Sequence, residues 1–378
     1  MSRITSRHVA SSPLLSSLVL GRPGPRDTRI SSAHGLGRPT DPIQRHPAAS
    51  PPPPPPHHRR RHPPVCTISF TPDTGFMSST VAASSSLQSA LSYCVRQVRS
   101  YDYHHYLCLL HLPPAMRKAA FTFRAFNVET AKAMDVVSDP KTGLVRLLWW
   151  KDVIDKIFAN KVVEHPVAQA LSSVVSEQKI SKHWLKRSVE ARINDANRDE
   201  GAIPETNAEL ERYAEDTQST ILYMTLQAGG IQSTVADHAA SHIGKASGLL
   251  LLLKALPHHV NKQGTIPYIP ASVAKECGLL TREGGRLEVR MDERLPDAVF
   301  KVASVAEAHL QKARELASSV PREAIPVLLP ALPAQVLLDS LRRCEFNVFD
   351  SRVSRGVHGS SPLGYQLKLS WYAWRNKY

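Results

Sequence analysis

The sequence predicts an all-α protein, on three observations. Apolar residues recur at helical spacing almost throughout the chain after Ser86, strand-like alternation is nearly absent, and the helical runs are bounded by residues that start and stop helices. With 378 residues at 42% hydrophobic composition, the chain can bury a substantial core.

Residues 1–85 stand apart from that pattern. They are rich in Arg, Ser and Pro, and include the run Pro51 to Pro56 followed by HHRRRH at His57 to His62. Such a segment cannot bury enough apolar surface to offset its ordering entropy, so it is expected to be a disordered leader. An organelle presequence, mitochondrial rather than plastid, accounts for its abundance of Arg and scarcity of acids; a plain disordered tail is the alternative. Ten of the 47 basic and three of the 33 acidic residues lie here, so this segment carries half of the net charge of +14. The remainder is too mild to argue for a nucleic-acid partner.

The expected helical domain covers 86–350. Its first helix is Leu87 to Val98. Pro113 and Pro114 suit the first turn of a helix over Ala115 to Met134, and Ser138 to Gly143, SDPKTG, reads as a turn. Helices are then expected over Leu144 to Phe158, from His165-Pro166 through Val175, and over Ser181 to Ala196. Thr206 and Glu209 have capping-box spacing before Leu210 to Gln227, which Gly229-Gly230 ends. Ile231 to Leu256, Pro296 to Ala317 and Leu332 to Arg343 complete the set. A basic, aromatic tail fills 351–378. No apolar run reaches membrane-spanning length: Gly248 to Leu253 meets Lys254, and Ile325 to Leu338 is broken by Pro330 and Pro333.

The five cysteines are scattered, as expected of free thiols. The pairs His104-His105 and His258-His259 point about 100° apart on a helix and do not converge on a metal, and no Cys lies at ligand spacing from them. Asp152 and Asp155 alternate with lysines as a charged helix face, and Trp149-Trp150 reads as packing.

Taken in order, YHHYLCLLHLP, FRAFNVETA, RLLWWKDVID and YIP make the chain resemble the squalene/phytoene synthase family from about Leu87 to Arg343. Within that family VSDPKTGLVRLLWW, HPVAQAL and KRSVEARINDA are most similar to the mitochondrial branch that assists assembly of respiratory complex I. The resemblance implies the all-α isoprenoid-synthase bundle with a central cavity. It also implies two Asp-x-x-x-Asp motifs whose carboxylates hold Mg²⁺ around a prenyl diphosphate.

In this chain those motif positions are Glu129 and Ala133, and Ala255 and His259. One carboxylate remains of four, and imidazole is a poor ligand for Mg²⁺. The expectation is therefore a pseudoenzyme with no cofactor, no metal and no catalytic residues. Its implied partners are complex I subunits or assembly intermediates, with a lipid or prenyl chain in the cavity, on the matrix side of the mitochondrial inner membrane and peripheral to it. The alternative is a prenyl-diphosphate transferase with an altered metal site built from Glu129, Asp135 or Asp195. Asp135/Asp139 and Asp195/Asp199 have the right spacing, but both pairs fall near helix ends and read as solvated acids. In the tail, Trp371, Tyr372 and Trp374 with Lys368, Arg375 and Lys377 suit a lipid interface, the other reading being a frayed terminus.

Overall fold

The computed structural model describes residues 75–378, apart from 136–138, 199–201, 264–265, 284–285 and 355–361. The expected leader lies outside the described residues as far as 74, as do Cys66 and Asp199. Fifteen α-helices follow in chain order. They are α1 Gly75–Tyr101, α2 Tyr103–Leu110, α3 Pro114–Lys132, α4 Pro140–Phe158, α5 Pro166–Glu177, α6 Lys182–Ala196 and α7 Asn207–Ala214. After a π-helical segment, Glu215–Ser219, come α8 Thr220–Ala228, α9 Thr234–Gln263, α10 Ala271–Glu276 and α11 Leu295–Glu315. Then come α12 Ile325–Leu328, α13 Ala331–Arg343, α14 Ser351–Ser354 and α15 Pro362–Trp374.

The all-α expectation holds with one exception. Strands β1 (Leu280–Glu283) and β2 (Arg286–Val289) form an antiparallel hairpin with Leu280 opposite Val289. Each strand is too short to display a period, yet the Gly284-Gly285 pair between them is a hairpin composition.

Other boundaries moved for local reasons. Helix α1 begins at Gly75, ahead of the expected start, because a helix anchored by its packed turns extends at little cost. Of the expected turn at Ser138 to Gly143, Ser138 lies outside the described residues, and Asp139 to Gly143 are instead the start of α4. Asp139 caps it by accepting from the Lys141 N–H at 3.2 Å, and Pro140 occupies the first turn. At Thr206 the capping box is incomplete: Thr206 makes no side-chain cap, and Glu209 accepts instead from the Glu205 N–H. Helix α9 runs through Pro257 to Gln263 rather than stopping at Leu256. The expected single helix over Leu210 to Gln227 is interrupted by the π segment.

Helix α9 lies at the centre, packed against α7, the π segment, α8, α11 and α13. Its leucine run explains why: Leu249, Leu250, Leu253 and Leu256 are all fully buried. Each such side chain stabilises the fold by about 1.5–3 kcal/mol. Gly244 and Gly248 allow the close approach on the other side, since a Cβ at Gly248 would lie 2.8 Å from Ala214 Cα. Around this axis α3 packs on α5 and α8, and α4 on α6. The tail is not frayed. Tyr365 and Leu369 of α15 are buried against Leu107 and Cys108 of α2 and Leu332 and Val336 of α13. The Tyr378 hydroxyl donates to the Ala313 carbonyl at 2.8 Å.

Candidate functional site

Two buried polar networks cross the bundle, both built on α3. Arg124 shares its face of α3 with Ala120, Phe121, Asn127 and Val128, all buried, so it cannot face water. Arg124, 3% exposed, therefore lies inside, where Nη1 donates to Gln218 Oε1 of the π segment at 3.1 Å and Nε lies 3.6 Å from Asp102 Oδ2. Asp102 also pairs at 2.7 Å with Nδ1 of His105. Burial alone would raise the Asp102 carboxyl, but His105 and Arg124 outweigh it and hold it at about 2. Burial lowers His104 to about 4, helped by the Lys254 charge, and it also depresses the Lys254 amine.

The second network lies three residues further along α3. Arg192 of α6 donates from Nη2 to Asn127 Oδ1 at 2.7 Å, and from Nη1 to the Ser188 carbonyl at 2.7 Å and its hydroxyl at 2.8 Å. Asp195 follows at the next position on that face, buried and ion-paired to Arg198. It lies 3.4 Å from the Tyr268 hydroxyl, which donates to it. Burial pushes the Tyr213 phenol up to about 12, against the pull of Arg192 and Arg198. The Asp135 charge acts on both Tyr213 and Tyr268 in the same direction as burial.

The four expected motif positions do not assemble around this network as a clamp. Ala255 and His259 share one face of α9, and His259 is fully buried with its ring 5.2 Å from that of Tyr268. Glu129 faces elsewhere. It is two residues beyond Asn127, a turn of about 200° on a helix. Its Oε1 accepts from Tyr93 of α1 at 2.7 Å, and its charge helps burial push the Cys94 thiol up to about 12. Ala133 packs with Met134 and Leu147. The two described cavities, of about 340 and 940 Å³, are lined by none of these four residues.

Asp135 and Asp139 do not share a helix, since Asp135 follows the end of α3 and Asp139 caps α4. Of the acids expected to be solvated, Asp139 is exposed, whereas the carboxylate oxygens of Asp135 and the whole of Asp195 are buried. The sequence reading missed Asp102, Arg124, Asn127 and Arg192. The charged residue inside an apolar helical run was the available signal for the first network. The Arg192–Asn127 contact joins residues too far apart in sequence for any spacing rule.

Mg²⁺ bridging a diphosphate requires several carboxylate oxygens free to face it. Asp195 is ion-paired to Arg198 and accepts from Tyr268, Glu129 accepts from Tyr93, and two of the other positions end in methyl groups. Among the described residues, no group of three or more His, Cys, Asp or Glu side chains is placed to hold a metal ion. The residues present do not fit such an ion cluster.

Residues 98–357 match the family model described as squalene/phytoene synthase. The chain is 35% identical over 286 residues to the Rattus norvegicus protein named NADH dehydrogenase (ubiquinone) complex I, assembly factor 6, covering 76% of this chain and 82% of that one. Its Homo sapiens counterpart is 37% identical over 257 residues, covering 68% and 75%. Among solved structures, a dehydrosqualene synthase in complex with ligand superposes with a TM-score of 0.63 at 17% identity, over 78% of this chain and 98% of that one. At that identity the likeness concerns the fold.

Proposed function

The chain belongs to the squalene/phytoene synthase family, and we propose that within it the protein serves assembly of mitochondrial NADH dehydrogenase (complex I) by binding rather than by catalysis. The observation that carries the assembly role is the similarity to complex I assembly factor 6, which extends over 76% of the chain. The non-catalytic half rests on the chemistry of the motif positions. Glu129 is turned toward Tyr93, Ala133 and Ala255 offer no oxygen, and His259 is packed against Tyr268.

In this reading the protein acts in the mitochondrial matrix, peripheral to the inner membrane, on complex I subunits or assembly intermediates. The apolar interior inherited from the family holds a lipid or prenyl chain, because apolar walls do not depend on metal ligands. Loss of the protein lowers assembled complex I on native gels and leaves the other respiratory complexes intact. Normal complex I in its absence would sink the proposal.

One observation favours a second reading. Asp135 and Asp195 both act on Tyr268, so two acids of an altered prenyl-transferase site approach a common group. Release of pyrophosphate from prenyl diphosphates with Mg²⁺ or Mn²⁺, abolished by Asp135→Ala, would establish that enzyme; the binding reading predicts no release above background.

A further inference from the structure

Helix α15 uses two faces for different purposes. Tyr365 and Leu369 are 2% and 1% exposed, seated on α2 and α13, so that face is fully committed to the body of the protein. On the opposite face Leu363, Leu367, Trp371 and Trp374 are 71%, 72%, 49% and 75% exposed. Their spacing of four, four and three residues puts all of them on one stripe within about 80° of arc. A helix of 13 residues is about 20 Å long, too short to cross a bilayer.

Charge selects the occupant of that stripe. Residues 362–378 contain Lys368, Arg375 and Lys377 and no acidic residue. Lys368 and Arg375 project from the flank between the exposed and the docked faces. Arg375 lies 5.9 Å and 6.0 Å from the rings of Trp371 and Trp374, and Lys368 lies 6.0 Å from that of Tyr372. A second copy covering the stripe would bring the same cations against these. An anionic lipid surface instead takes the Leu and Trp side chains into its acyl boundary and pairs its headgroups with the flanking cations.

We propose that α15 is a membrane-contact element, with Leu363, Leu367, Trp371 and Trp374 entering an anionic lipid surface and Lys368 and Arg375 binding its headgroups. The inference deepens the peripheral membrane placement proposed above and rests on it. It is tested by flotation of the purified protein with vesicles of phosphatidylcholine alone and of phosphatidylcholine with phosphatidylglycerol.

The wild-type protein floats with the anionic vesicles and is released by salt. The double variant Leu363→Glu, Leu367→Glu loses at least about tenfold in bound fraction, at an unchanged melting temperature because both side chains are exposed. Lys368→Glu with Arg375→Glu removes the preference for anionic vesicles. Equal flotation of wild type and the Leu363, Leu367 variant overturns the proposal. So does a change from dimer to monomer in that variant, which would make the stripe a contact between copies. If wild type fails to float while carbonate still extracts it from organelle membranes, the stripe is refuted and peripheral placement survives through another contact.

Discussion

Replacing Gly248 with Ala reverses the sign that helix propensity alone would give. In an exposed helix, Gly to Ala gains about 1 kcal/mol. At position 248 the new methyl would lie 2.8 Å from Ala214 Cα, where ordinary contact begins at 3.4 Å. Helix α9 must therefore retreat from α7 by more than about 0.6 Å, because the methyl meets the Ala214 Cβ more closely still. A backbone atom cannot rotate away as a flexible side chain can. Overpacking of this kind costs about 1–3 kcal/mol, so the net effect is a loss of up to about 2 kcal/mol. For a domain of this size the melting temperature falls by up to about 3 °C, read by circular dichroism in a thermal scan. Gly244→Ala, which meets Ser219 Cα at 2.5 Å, adds to the loss in the same direction. A melting temperature raised by either substitution would refute the close approach as the reason for glycine at these positions.

Acidification should destabilise the fold between the ordinary histidine range and pH 4. His104 is lowered in the folded state to about 4, so the unfolded chain binds more protons there and stability drains away as pH falls from about 6.5; urea midpoints that stay level across that range would contradict this. Asp102→Asn removes the charge partner of both His105 and Arg124, and denaturation should show a loss of about 3–5 kcal/mol. Glu129→Ala leaves the partly buried Tyr93 hydroxyl without its acceptor and should cost about 1–2 kcal/mol in the same assay, whereas no change would mean that water replaces the carboxylate there.

Much of the architecture was legible because punctuation is local. Pro113-Pro114 and His165-Pro166 mark helix starts that the structure places at Pro114 and Pro166. The leucine run of α9 announced a buried helix, and its burial followed. What escaped was set by contacts distant in sequence. Nothing in Glu215 to Ser219 marks a π segment, which arises where α7 and α8 share the packing against α9. Helix α3 is buried on every side from Ala119 to Val128, so no apolar stripe fixes its rotation, and Glu129 was expected at the cavity while Asn127 was not. The close approach at Gly244 and Gly248 was not read from their spacing and emerged only from the packing against Ser219 and Ala214. In the tail, the interface-like aromatics were readable from composition. The split of α15 into a docked and a free face was not.

The Pro257 position shows a different limit. A proline usually ends a helix by removing a donor and crowding the preceding turn, which makes Leu256 the natural stop. The helix continues because its next turn is held in place: His259 is buried and stacked edgewise on Tyr268, whose loop closes beneath it. Tertiary packing overrides the local rule there.

We propose that the scaffold acts in complex I assembly without carboxylate chemistry, and native gels of mitochondria that lack the protein and re-express it with Glu129→Gln and Asp135→Asn together test this. The first substitution keeps an acceptor for Tyr93, and both remove the charge that an ion would need. Complex I should be restored to the wild-type level. Complex I still missing, with the variant protein present at wild-type abundance, would contradict it.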